Sequence, residues 1–82
     1  MTDAERAVIQ AAREYSKAYI NSQYHRLKVY ATRSRNLEPQ TLLIAAEAES
    51  YVAETELDTA GRLLKNAVEK MEKEAGNDNH AV

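Results

Sequence analysis

One proline and two glycines are the only strong helix breakers in 82 residues. Pro39 lies near the middle, while Gly61 and Gly76 both fall after it. Little else interrupts a helix on either side, and Ala, Glu, Leu, Lys and Arg dominate, the composition of long helices. Thr2-Asp3-Ala4-Glu5 has the form of a capping box, which predicts a first helix starting there and running to about Ser34. Its softest point is Asn21-Ser22, where a kink would fall because both side chains compete for backbone hydrogen bonds. Asn36 can end it. Pro39 disfavours helical geometry at Glu38 and suits the first turn of a second helix, expected from Pro39 to Ala75. Gly76 stands where a left-handed cap would sit. The expected layout is one all-α domain over 1–76, an antiparallel hairpin of two helices roughly 48 and 55 Å long, with a disordered tail over 77–82.

The second helix carries the clearer seam. Leu43, Ser50, Leu57, Leu64 and Met71 recur every seven residues, and so do Ala46, Ala53, Ala60 and Ala67. Together they form a heptad repeat with alanine filling one register, which lets a partner backbone come close. Gly61 and Val68 flank it. Leu43, Ala46, Ala53, Leu57, Ala60, Leu64, Ala67 and Met71 are therefore the expected oligomer interface. The first helix shows two stripes. Ala4, Val8, Ala11, Ala12, Tyr15 and Tyr19 form one; Ile9, Ile20, Tyr24, Leu27 and Ala31 form another, roughly 100–140° round the wheel. One hairpin cannot bury both. A chain this short also has a marginal core, and with no cysteine it has no disulfide to help. The expectation is a homo-oligomeric bundle, at least a dimer.

Charge is divided unevenly. Residues 1–37 hold seven Lys/Arg and three Asp/Glu, a net of +4; residues 38–82 hold four and ten, a net of −6. The two halves can attract each other within one hairpin or face different partners. The sharpest candidate site lies in the first half. Tyr15, Tyr19, Arg26, Tyr30 and Arg33 fall within about 60° on the wheel, with Lys28 on a separate basic line. Tyrosine offers a flat face on which a base can stack, and arginine a planar fork that matches phosphate oxygens. A nucleotide needs both close together. The plain alternative is that the tyrosines cap the edge of a core while Arg26 and Arg33 pair with Glu47, Glu49, Glu54 or Glu56 of the second helix.

Other chemistry finds little footing. His25 and His80 are the only histidines and are far apart, so no metal spacing exists and no metal or other cofactor is expected. No nucleophile is set beside a base, and no glycine-rich phosphate loop is present, so an enzyme is not expected. The overall acidity and the lack of a tight helix-turn-helix argue against a nucleic-acid binder. No apolar run approaches the roughly 20 residues of a membrane span, and no signal-peptide core follows Met1, so a cytoplasmic protein is expected.

The stretch "LDTAGRLLKNAV", Leu57 to Val68, resembles the last-helix pattern of the phage anti-CBASS sponges: Leu-x-Thr-small, then Leu, then Ala-Val, with Thr59 the polar match. That resemblance implies a small helical oligomer that sequesters a cyclic-oligonucleotide immune signal without cleaving it. The leading expectation is thus a non-enzymatic binder of an anionic nucleotide-type ligand, a phage anti-defence or regulatory protein in the host cytoplasm. The other is a protein-interaction module that inhibits a host or partner protein through the Ile9, Ile20, Leu27 and Ala31 face.

Overall fold

The computed structural model describes residues 1–34 and 40–80, with side chains through 76. It consists of two α-helices, α1 (Asp3–Ser34) and α2 (Gln40–His80), packed against each other. Contacts along the pair establish the antiparallel sense. Tyr15 of α1 meets Gly61 of α2, Arg26 meets Glu54, and Arg33 meets Glu47. The expected stop at Asn36 and start at Pro39 lie outside the described residues.

The capping box forms as its spacing requires. The Glu5 amide donates to Thr2 Oγ1 at 3.1 Å, and the Glu5 carboxylate accepts from the Thr2 hydroxyl at 3.2 Å. Beyond it α1 is helical through Asn21 and Ser22. Ser22 does not compete with the helix there. Its hydroxyl donates to the Tyr19 carbonyl at 2.8 Å, and the residue is fully buried. At the other end the expected termination at Ala75 and Gly76 does not occur. α2 runs through Gly76 to His80, and neither glycine has a positive φ. Gly76 is therefore an interior helical residue, and residues 77–80, expected as tail, belong to α2.

The interior between the helices is made almost wholly of small side chains. Ala4, Ala46, Ala53, Ala60 and Ser22 are the buried residues. The alanine register of α2, expected as the surface between copies, is closed within the chain, against α1. Leu43, Leu57, Leu64, Ala67 and Met71 border that seam and are half-buried. On α1 the matching line is Ala4, Val8, Ala11, Tyr15, Ala18, Ser22, His25, Val29 and Thr32, spaced alternately four and three apart. Except for Tyr15, at the rim, each is buried or half-buried. Both helices thus present a heptad seam, the pattern of a two-stranded coiled coil. The result is a rod 68 Å long, with a radius of gyration of 18.8 Å. A compact chain of 82 residues would have about 12 Å.

Large apolar side chains are consequently left outside. Ile20, Tyr24 and Leu27 on α1 are 67%, 61% and 68% exposed. Leu42, Ile44, Tyr51 and Val52 on α2 are at least half exposed as well.

Two substitutions read the seam in opposite directions. Ala53→Leu places three extra carbons where the helices touch and should destabilise the hairpin by about 1–3 kcal/mol. Gly61→Ala should stabilise it by up to about 1 kcal/mol, because a Cβ there meets Tyr15 Cε2 at an ordinary 3.4 Å. Urea denaturation of the two variants measures both; an Ala53→Leu chain as stable as the parent would mean the helices are not held at alanine distance.

Candidate functional site

The tyrosine–arginine flank expected on α1 forms only in part. Arg26, Tyr30 and Arg33 line one shallow groove of 440 Å³ together with Tyr51, Glu47 and Glu54 from α2. Tyr15 lines a neighbouring groove of 510 Å³, which shares Arg26 and adds Gly61, Arg62 and Lys65. Tyr19 lines neither of them. Lys28 is on the other side of the hairpin, beside Ala31, Thr32, Leu42 and Glu49. Tyr51 is the member that sequence reasoning missed. It sits four residues after Glu47 and three before Glu54, hence on the same helical face as both acids.

The electrostatics of the groove follow from the opposite charges of the two helices. Arg33 Nη2 donates to Glu47 Oε1 at 2.8 Å, with Nε 3.3 Å from the same oxygen. Arg26 Nη2 lies 3.3 Å from Glu54 Oε1, and Lys28 Nζ lies 3.1 Å from Glu49 Oε2. The three cations proposed from sequence as phosphate contacts are therefore each matched by a carboxylate of α2. All six side chains remain 44–63% exposed, so each pair is worth about 0–1 kcal/mol. Each cation thus has a carboxylate within reach, which lowers the positive charge that the flank offers to an anion. His25 also approaches Glu49, its Nδ1 3.7 Å from Oε2, too far for a hydrogen bond. That nitrogen is buried without a hydrogen-bond partner.

A different surface is more concave and more apolar. On the side away from Tyr30 and Tyr51, a groove of 820 Å³ runs between the helices toward their free ends. Ala7, Ala11, Ala18, Ala60, Leu63 and Ala67 line it, with Gln10, Glu14, Lys17 and Glu56 among its polar residues. The alanines of both helices form much of its lining, with longer side chains such as Leu63, Gln10 and Lys17 beside them. Among the described residues no three His, Asp or Glu side chains are grouped as a metal site, and no helix is long and apolar enough to cross a membrane.

Comparison with protein-family models, curated proteins and solved structures finds no match for the chain. The Leu57–Val68 resemblance thus has no matching family behind it, and function must be argued from the surface itself.

A double-mutant cycle on Arg33 and Glu47 tests the ladder. The coupling should be below about 1 kcal/mol and should fall as salt rises toward 1 M, where the screening length shrinks to about 3 Å. A coupling of several kcal/mol, insensitive to salt, would show that the pair is buried in the working assembly.

Proposed function

We propose that this chain is a non-enzymatic interaction module that works as a homo-oligomer, its binding surface being the large apolar side chains outside the hairpin. One observation carries the reading: the interhelical seam is built of alanine and serine, while Ile20, Tyr24, Leu27, Ile44, Tyr51 and Val52 are all more than half exposed. These residues stand on the outer faces of both helices, and exposed apolar surface of this extent is characteristic of sites of interaction. A seam of small residues contributes little burial. Leu or Ile contributes about 1.5–3 kcal/mol when fully buried, and here those residues gain that stabilisation only through a further surface. A cytoplasmic setting goes with this reading.

The test is the concentration dependence of unfolding. For an obligate oligomer, folding is coupled to association, so Tm should rise by several degrees over a hundredfold increase in protein concentration. A Tm independent of concentration would remove the proposal.

A second reading keeps the anionic ligand. It is supported by the pairing of Tyr30 and Tyr51, 73% and 72% exposed, around the groove that holds Arg26 and Arg33. A dinucleotide could stack on the tyrosines if its phosphates displaced Glu47 and Glu54 from the arginines. Isothermal titration of cyclic dinucleotides into the chain and into its Glu47→Gln, Glu54→Gln variant decides it. Freed arginines should tighten binding by about tenfold or more, since hydrogen bonds to charged groups contribute about 1.5–3 kcal/mol. No heat in either titration would leave the tyrosines as ordinary surface.

A further inference from the structure

We infer that the linker-proximal half of the hairpin is covered by a second copy of this chain, which meets it along the stripe Ile20, Tyr24, Leu27 and Ala31. The inference rests on the oligomeric reading above and adds the place and the occupant.

The first observation is where the apolar surface lies. Of the thirteen exposed large hydrophobic residues among those described, eight fall within 20–34 and 40–57, the half next to the linker. On α2 no large hydrophobic residue beyond Leu63 is exposed among the described side chains. The surface is a property of one half of the rod.

The second observation is its order. Ile20, Tyr24, Leu27 and Ala31 are spaced four, three and four apart, the heptad spacing of a helical seam. On the wheel they lie roughly opposite Ala4 and Ser22, the residues buried against α2, so this seam points away from the partner helix. Continued toward the N-terminus the same line meets Arg13, Ser16 and Lys17. Ile9, on the same face, is less exposed at 38%, so the continuous apolar seam runs from Ile20 to Ala31.

Charge identifies the occupant. Residues 20–34 and 40–57 carry Arg26, Lys28 and Arg33 against Glu47, Glu49, Glu54 and Glu56, a net of −1 apart from His25. All three pairs close within the chain, which draws Arg26 and Lys28 toward α2 and clears the stripe between them. A strongly acidic or basic partner finds no complementary field here. A second copy, equally close to neutral, meets little repulsion.

The area agrees. A compact monomer of 9.2 kDa exposes about 4,900 Å² by the mass scaling, whereas this chain exposes 6520 Å², an excess of about 1,600 Å². A standard interface covers about 800 Å² on each partner and obligate homodimers cover more, so the excess is of the size that association of copies removes.

The experiment uses the full chain and its lack of cysteine. Leu27→Cys and Leu63→Cys each introduce a single thiol, at an exposed position inside and outside the proposed interface. Treatment with a short bis-maleimide should give at least about tenfold more covalent dimer from Leu27→Cys, because a fixed interface raises the local thiol concentration into the millimolar range. Light scattering after size exclusion should show an oligomer for the parent and for Leu63→Glu. Ile20→Glu with Leu27→Glu should shift the dissociation midpoint upward by at least about tenfold. If the double variant unfolds on dissociation, the crosslinking result still decides. An oligomer that crosslinks through Leu63→Cys and survives both glutamates would overturn this surface while leaving the oligomeric reading intact. A parent that is monomeric at every concentration would overturn both.

Discussion

The close approach of two helices through alanine is the constraint on which the rest of this molecule depends. Ala46, Ala53 and Ala60 on α2 and Ala4 and Ser22 on α1 leave no room for a leucine between the axes. Close packing of this kind gives many weak contacts but little apolar area. Whatever large hydrophobic side chains the chain carries must then stand on the rim or the outer faces. The rod shape, the shallow grooves and the exposed isoleucines and leucines are one consequence seen in three places. Ser22 belongs to the same economy of space. It is nearly as small as alanine, and its hydroxyl finds an acceptor in its own helix at the Tyr19 carbonyl, so a polar residue sits in the seam without an unsatisfied group.

Direction comes from the short connection: the five residues between Ser34 and Gln40 span at most about 20 Å, far less than the length of α1, so the pair runs antiparallel. Charge agrees with that direction, because folding back sets Arg26, Lys28 and Arg33 against Glu54, Glu49 and Glu47. Each pair is weakly stabilising because it is open to water. Together they make the wrong pairings unfavourable and leave the linker half close to neutral. Much of the asymmetry visible along the sequence is thereby matched inside the hairpin.

The two helices, the capping box at Thr2 and the alanine heptad of α2 were all legible from residue types and spacing. The seam of α1 was harder to read. Its second half passes through Ser22, His25 and Thr32, which no scale of hydrophobicity marks as interior, and only the alternating spacing from Ala4 onward points to them. The end of α2 was misread because Gly76 resembles a cap locally, while the backbone there remains helical. The tyrosine–arginine flank was found as a set of neighbours on one helix. What those neighbours do depends on the rotation of α2, which brings Tyr51 and the glutamates against them. That rotation is fixed by tertiary packing and leaves no mark on the first helix alone.

The contact of Tyr15 with Gly61 acts as the pin of a vernier. Sliding α2 by one heptad, about 10.5 Å, would replace each seam alanine by another. It would bring Glu54 opposite Arg33 in place of Glu47, and Glu56 opposite Lys28 in place of Glu49. The methyl groups repeat along the scale, whereas Arg26 would exchange Glu54 for Gly61 and lose its partner. The tyrosine adds a second check. In the observed setting it lies over a glycine, where a Cβ would stand in ordinary contact with its ring at 3.4 Å and a larger side chain would not fit as easily. In the slipped setting it would lie over Val68, whose two branches need the volume the ring occupies. The open space at Gly61 and the Arg26–Glu54 pair together favour the observed alignment.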